Sequence, residues 1–440
     1  MKNLGLKWIA IPAGILGLFA WGQRADAAPD DKQALFHLEA PAPKTGLDFH
    51  AAVHLDFLGY DRHEENLTGA GSQENNFTIR RARVVLTGIL YEKITFFIQT
   101  GLESTDTLLM DGIIIYQIAP WVDVRAGQMK MPFSAERLES FLTNPFLERS
   151  LAANLELRRS RGVSIGLHPR NDMARLELGL FTGENMMKNN TDDHFEYVGR
   201  GRIFLNKIIP DFPGEFALAA SGARGRRSPV REATTSFTGK TLNELTFFSP
   251  VPVNGYRTRW EADLSWRYQP LWIAAEWIHS EEERDHVLIN LDTDGDGVGD
   301  AEVTRDLENL LEQGWKVSAV CVLTGEPFSE RIVPDHSWGA LELLARYSTV
   351  TFDSQEEKIR GQAPGTRGRE VSAASQALGR RSIDEKVRSV DAGLNWFIKP
   401  GFWIGLDVTW QWFDHSSTYD GNNPDQRSDI NYRGRIAVAF

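Results

Sequence analysis

The sequence predicts an all-β protein, namely a 16-stranded antiparallel transmembrane β-barrel. Three observations carry this prediction: the alternation of apolar and polar side chains, the length of the alternating stretches, and the spacing between them. In the clearest stretch, 402–412, apolar residues at even positions begin with Phe402 and Ile404, whereas Asp407 and Gln411 occupy odd positions. A period of two indicates a strand with one apolar and one polar face.

Sixteen stretches of this kind follow one another along the chain. They lie at 45–60, 77–90, 94–104, 109–119, 121–130, 161–169, 173–183, 195–206, 214–224, 255–268, 271–282, 313–324, 337–350, 385–398, 402–415 and 428–440. Most connections after even-numbered stretches are short, whereas long ones at 131–160, 225–254, 283–312 and 351–384 follow odd-numbered stretches. Short turns on one side and long loops on the other are typical of outer-membrane barrels. The segment 325–336 is an exception, because it is long for a turn.

Alternation alone fits both a soluble sandwich and a membrane barrel. A sandwich buries the apolar face, whereas a barrel turns that face to lipid and its polar face to a watery lumen. Stretches of about 10 to 14 residues can cross a bilayer at a tilt, and sandwich strands are usually about half that length. Aromatic residues near stretch ends, such as Tyr268, Trp272 and Trp403, match interfacial girdles. These features favour the barrel.

The N-terminus is typical of a secretory signal peptide. Lys2 and Lys7 flank the start of an apolar stretch at 8–21, and Ala25-Asp26-Ala27 fits a cleavage site. The apolar stretch is short for a transmembrane anchor. We therefore expect three parts: a signal peptide at 1–27, an N-terminal periplasmic segment at 28–44, and the barrel at 45–440.

The C-terminal stretch ends in Phe440 on the same face as Tyr432, Ile436 and Val438. This resembles the closing-strand signal that the bacterial outer-membrane assembly machinery reads. Together with a signal peptide and amphipathic strands, it predicts localisation in the cell outer membrane.

Composition excludes several classes of protein. The 440-residue chain has a formal net charge of −12 and no long basic run, which argues against a nucleic-acid partner. A single cysteine, Cys321, excludes a disulfide framework and a cysteine-based zinc site. Gly162-Val163-Ser164-Ile165-Gly166 matches a hydrolase pattern, but it lies in an extended stretch without the required helix. We expect no enzymatic activity.

An acidic loop at 292–300 resembles a calcium-binding loop. Its aspartates, at positions 1, 3, 5 and 9 of the motif, are Asp292, Asp294, Asp296 and Asp300. Calcium prefers such oxygen ligands around a sharp turn. Val303 replaces the acid expected at position 12, so we expect a weak calcium site, and a solvated acidic loop is the alternative. No other cofactor is expected.

Several separated motifs carry a resemblance to a known family. They are FTIRRARVVLTGIL at 77–90, RAGQMKMPFSAERLES at 125–140 with FLERS at 146–150, YVGRGRIFLN at 197–206, VCVLTGE at 320–326 with WGALELLARYS at 338–348, and GLNWFIKPG at 393–401. Through them the sequence resembles the phosphate-selective porin O and P family of Gram-negative outer membranes. The resemblance covers about 45–440. It implies a homotrimer of 16-stranded barrels, each with a water-filled pore, an inward-folded third loop and basic residues that guide anions.

The residues that we expect to line the pore or its constriction are all basic, and most match the family's second strand and third loop: Arg80, Arg81, Arg83, Lys130, Arg137, Arg149, Arg259 and Arg346. On a flat strand Arg81 and Arg83 share a face and Arg80 points the other way, so all three can face the pore only if the strand has a bulge or ends there. Acidic residues such as Glu261 and Asp263 share the predicted lumen face. Paired charges leave a weak net field, so a general or modestly anion-preferring pore fits as well as a phosphate-specific one.

Three functional interpretations remain open at this stage. The first is a porin for passive diffusion of small hydrophilic solutes or anions, surrounded by outer-membrane lipid. The second is a plugged structural or adhesive surface barrel, which the long loops permit. The third is a barrel enzyme, although no serine, histidine and acid set can be selected from the sequence.

Overall fold

The computed structural model describes residues 36–39, 45–60, 75–103, 109–169, 172–183, 186, 190, 193–227, 239–240, 246–248, 253–291, 301–329, 332–353, 384–414 and 428–440. The predicted signal peptide and the four aspartates of the predicted calcium loop lie outside these residues.

Sixteen long strands form one antiparallel sheet. They are β1 (Gly46–Tyr60), β2 (Asn76–Leu90), β3 (Ile94–Gly101), β4 (Leu109–Ala119), β5 (Val122–Lys130), β6 (Arg159–Leu167), β7 (Ala174–Phe181), β8 (Glu196–Phe204), β9 (Glu215–Arg227), β10 (Gly255–Tyr268), β11 (Leu271–Glu282), β12 (Leu310–Val322), β13 (Ala340–Asp353), β14 (Asp384–Lys399), β15 (Phe402–Phe413) and β16 (Ser428–Ala439). Each strand pairs with its neighbours in sequence, and β1 pairs with both β2 and β16. The sheet therefore closes into a barrel, as the sequence predicts.

The two faces of the barrel wall differ in the way expected for a membrane barrel. On β10, Arg259 and Glu261 are buried, whereas Tyr256 and Trp260 on the opposite face are 42% and 56% exposed. Burying charge and exposing large apolar side chains would be costly in water. A lipid environment around the exposed face removes this cost, which excludes the sandwich.

The turns and loops follow the predicted alternation. Tyr91 and Glu92 turn the chain between β2 and β3 with positive φ angles of 52° and 64°. The exceptional segment between β12 and β13 is held by Glu326, which accepts hydrogen bonds from the Thr324 hydroxyl and from the Asp335 backbone N–H. Phe328 in this segment is buried and stacks on Trp272. This long segment therefore adds apolar side chains to the core.

Three shorter pieces accompany the barrel. Phe36–Glu39, inside the predicted N-terminal segment, is a strand that pairs with the start of β1. Two small hairpins are formed by Gly239–Lys240 with Thr246–Phe248 and by Val287–Leu291 with Ala301–Arg305. The second hairpin flanks the predicted calcium loop. Among the described residues, no helix has the length and apolar character to cross a membrane, which says nothing about β-barrels.

The connection between β5 and β6, residues 131–158, is called the third loop. It contains one helical turn, α1 (Ala135–Leu138), and a 3₁₀ helix, Leu151–Leu155. Ser134 caps α1, since its side chain accepts a hydrogen bond from the Arg137 backbone N–H. The 3₁₀ helix contacts β11, β12, β13 and β14.

Candidate functional site

A bulge in β2 brings three arginines to one face of the barrel wall. Arg81 lies opposite His54 and Ile79 lies opposite Leu55, so Arg80 is the extra residue. Ile79 and Phe77 then remain on the exposed face. The extra residue returns Arg80 to the face that carries Arg81, which is the bulge that the sequence requires.

The arginines of β2 meet those of β16. Arg435 makes two hydrogen bonds of 2.7 Å with the carboxylate of Asp56 on β1. Arg433 lies 3.9 Å from the same carboxylate. On β2, Arg83 donates to Glu103 at 3.1 Å. Four guanidinium groups, from Arg80, Arg81, Arg433 and Arg435, lie within 3.9 Å of the carboxylate of Glu148. We call these four residues the arginine wall.

Glu136 anchors the start of the third loop. Its carboxylate lies 2.9 Å from the ammonium of Lys316 on β12 and 3.3 Å from the guanidinium of Arg346 on β13. The Ser150 hydroxyl and backbone N–H donate to it at 2.6 and 2.9 Å. Burial alone would raise the pKa of Glu136, but Lys316 and Arg346 outweigh burial and lower that pKa to about 2. The loop is therefore held by an ionised, fully coordinated carboxylate.

Two predicted pore residues hold the loop in the same way. Arg346 donates to Asp391 at 2.8 Å and to the backbone carbonyl of Glu148 at 3.0 Å, and its guanidinium lies over the Phe146 ring. Lys130 donates to the carbonyls of Leu138 and Glu139 at 3.2 and 2.9 Å, at the end of α1. Carbonyls at a helix end lack hydrogen-bond donors within the helix, and the ammonium of Lys130 supplies these donors.

The remaining predicted residues have different surroundings. Arg137 pairs with Glu156 at 2.8 Å inside the loop. Arg259 is 1% exposed on β10, and its pore-lining role stays a prediction. Arg149 is half-buried, and its Nε has no hydrogen-bond partner among the described residues.

Apolar side chains join the loop to one side of the barrel. Phe133, Leu151 and Leu155 of the loop pack in one buried cluster with residues of nine strands, among them Ile278 and Phe352. A second cluster joins Phe146 to the β12–β13 segment. Neither these clusters nor the role of Lys316 was predicted from the sequence. The alternation of β12 assigns Lys316 to the buried face, but it gives no sign of the residue's partner.

Three buried carboxylates come together beside Lys316. Oxygen atoms of Glu136, Glu156 and Glu276 lie within 4.8 Å of one another. The ammonium of Lys316 lies 2.9 Å from Glu136 and 3.1 Å from Glu276. The ammonium of Lys316 already supplies a positive charge to these carboxylates. We therefore interpret Lys316 and the three glutamates as an ion-pair network that holds the third loop.

A closed sixteen-stranded sheet with an apolar exposed face and a charged buried face defines an outer-membrane porin. The family model described as phosphate-selective porin O and P matches residues 48–204 and 223–438. The chain belongs to this family, and it is an outer-membrane channel protein. No curated protein matches it in sequence.

Solved structures share the fold at low sequence identity. OmpT of Vibrio cholerae, an outer membrane protein, is 10% identical with a TM-score of 0.54, over 92% of this chain and 99% of that chain. The outer membrane channel DcaP of Acinetobacter baumannii is 11% identical with a TM-score of 0.52, over 92% and 100%. The anion-selective porin from Comamonas acidovorans is 11% identical with a TM-score of 0.52, over 90% and 100%.

Proposed function

We propose that the protein conducts small hydrophilic solutes passively across the outer membrane with a preference for anions, without turnover, as a homotrimer. The observation that carries the preference is the arginine wall, where two strands converge around a single carboxylate. Fixed positive charge in a narrow path with low-dielectric walls raises the local concentration of anions.

The position of the third loop supports a narrow path. The loop contacts β2 and β16 through Glu148 and contacts β12 and β13 through Glu136. The strand residues Arg81, Arg435, Lys316 and Arg346, which contact the loop, are all buried. We therefore infer that the loop folds inward, fills the β11–β14 side, and leaves the solute path beside the arginine wall.

The relatives support the class of solute and the assembly. One solved structure with this fold is an anion-selective porin, at 11% identity, and another is a trimer form of OmpT, at 9% identity. The family is named for phosphate selectivity. In this chain the wall is partly neutralised by Glu148 and Asp56, which supports a modest anion preference over strict phosphate specificity.

A closed structural barrel is the second candidate. The observation in its favour is the pair of apolar clusters that join the third loop to the barrel wall. Such clusters exclude water from the space that they occupy.

Planar-bilayer recording of the purified full-length protein separates the two candidates. We expect ohmic single-channel steps, and in a potassium chloride gradient we expect a reversal potential displaced toward that of chloride. Protein that inserts without steps supports the closed barrel. A reversal potential displaced toward potassium contradicts the anion preference.

A further inference from the structure

Glu148 of the third loop occupies the centre of the arginine wall. Its two carboxylate oxygens accept hydrogen bonds from Arg80 at 2.6 and 3.0 Å. Guanidinium nitrogens of Arg435, Arg433 and Arg81 lie 3.6, 3.8 and 3.9 Å from those oxygens. The carboxylate of Glu148 thus makes a bidentate contact with one arginine and lies in the electrostatic field of three others.

This geometry is that of an occupied carboxylate site. A guanidinium binds a carboxylate through two parallel N–H donors, as Arg80 binds Glu148. Burial alone would raise the pKa of Glu148, but Arg80 and Arg433 hold that pKa well below its usual range. These arginines therefore favour the anionic form of the occupant.

The backbone of Glu148 is also held by a hydrogen bond to the barrel. Arg346 donates to the backbone carbonyl of Glu148 at 3.0 Å, so the backbone at this position is tied to β13. A ligand carried on a tether competes at an effective concentration on the order of millimolar. A dissolved anion must exceed this concentration, or bind more strongly, to displace it.

We propose that Glu148 is a tethered occupant of a binding site for small carboxylates, and that it competes with dissolved carboxylates for the arginine wall. The proposal rests on the proposed function, because it places the wall beside the solute path. Glu148 then sets selectivity in two ways. Its charge lowers the anion preference of the pore, and its side chain blocks the bidentate contact with Arg80.

The test removes the occupant and supplies a substitute. Propionate carries the group that Glu148→Ala deletes. We expect E148A to move the reversal potential further toward chloride. We also expect propionate to block the chloride current of E148A at concentrations about tenfold lower than in the wild type, which corresponds to about 1.4 kcal/mol of lost competition.

Glu103→Ala is the matched control. Glu103 pairs with Arg83, which lies beside the arginine wall on β2, at 3.1 Å, so this variant removes the same charge without emptying the Glu148 position. It should displace the reversal potential but leave propionate sensitivity at the wild-type value. Equal propionate sensitivity in E148A and E103A overturns the proposal, because general charge then explains the effect.

Two further measurements keep the result decisive. Calorimetry with propionate on purified E148A and wild type reports binding even where no current flows, so failed conduction contradicts the proposed function alone. If E148A does not assemble, Glu148→Gln and Glu103→Gln replace the two variants. E148Q should then give the larger displacement of reversal potential, and equal displacements overturn the proposal.

Discussion

The ammonium of Lys316 on β12 lies between two carboxylates, 2.9 Å from Glu136 of the third loop and 3.1 Å from Glu276 on β11. All three side chains are buried. Glu276 also accepts a hydrogen bond from the Glu136 backbone N–H at 3.3 Å. Lys316 of β12 therefore links the third loop to β11 by pairing with one acid of each.

Replacing Lys316 by Met should release the third loop while leaving the sheet closed. Removing one partner of a buried ion pair costs about 3 to 5 kcal/mol, because the remaining charge is left uncompensated. We expect noisier single-channel current and a lower temperature at which the folded band is lost in heat-modifiability gels. Arg388→Gln is the control, since its exposed pair with Asp414 contributes at most about 1 kcal/mol. Equal effects from the two variants would contradict the anchoring role.

The strands could be predicted because apolar side chains that face lipid alternate along them with polar side chains that face the interior. The predicted stretches 255–268 and 271–282 coincide with β10 and β11. The strands β9, β12 and β13 extend three residues beyond the predicted stretches on the long-loop side, and β3 ends three residues before its predicted end. Among the added residues of β12 and β13, Leu310 and Phe352 are buried in the loop's apolar cluster. Apolar side chains on the face that is polar elsewhere in these strands weaken the alternation, so the ends of the stretches are misplaced.

The site was predictable only in part. Strand geometry requires either a bulge or a strand end for Arg80 to face the pore with Arg81 and Arg83, and the structure has the bulge. The partners of the arginines do not follow, because Glu148 reaches β2 and β16 only after the barrel closes. In the sequence, nothing distinguishes Lys316 from other polar residues on the inward face of a strand. Its meeting with Glu136 depends on the folded path of the third loop.

Glu139 should make anion preference depend on pH near neutrality. Burial raises the pKa of Glu139 from its ordinary value of 4.5 to about 7, although Lys316 and Arg267 oppose this shift and Glu136 adds to it. The group is neutral below about pH 7 and negative above it. Raising the pH from 6 to 8 should therefore reduce the anion preference of the pore. The folded state binds the proton of Glu139 more tightly than the unfolded state does. Folding stability should therefore fall as the pH rises from 4.5 to 7.

Reversal potentials at pH 6 and pH 8 test the role of Glu139. The wild type should move toward potassium at the higher pH, and Glu139→Gln should show little change. A pH response that persists unchanged in E139Q would assign the titration to another group.

Phe440 should matter for insertion more than for stability. Its backbone N–H and carbonyl form hydrogen bonds of 3.0 and 2.8 Å with Ala51 on β1, and a serine can keep both bonds. Phe440→Ser should lower the amount of protein in isolated outer membranes if the aromatic is an assembly signal. Tyr91→Ser removes another exposed aromatic, from a short turn, as the control. Wild-type amounts of F440S would exclude the signal.

The predicted calcium loop gives a separate test. Replacing Asp294 and Asp296 by Asn removes two carboxylate ligands from the motif. Calorimetry should show that calcium binding becomes weaker, from a starting dissociation constant of about 10⁻⁴ to 10⁻³ M. Conductance should not change. A wild type that takes up no calcium would return these residues to a solvated acidic loop.

Arg81 and Arg83 should set ion selectivity. Both lie on the face of β2 that carries the arginine wall, and the guanidinium of Arg83 lies 4.5 Å from the ring centre of Phe141 in the third loop. Replacing both by Gln removes two positive charges beside the inferred solute path. The reversal potential should then move toward potassium. The displacement should be larger at 0.01 M salt, where the Debye length is about 30 Å and pore charges are poorly screened.

The control for this pair must remove the same charge from another place. Lys93→Gln with Lys399→Gln also removes two positive charges, but both lysines are exposed, Lys93 in a short turn and Lys399 at the end of β14. Exposed charges are screened by salt and lie outside the narrow path, so this double variant should behave nearly as the wild type. Folding of both double variants is checked by heat-modifiability. If folded and conducting R81Q/R83Q keeps the wild-type reversal potential, these arginines do not border the solute path.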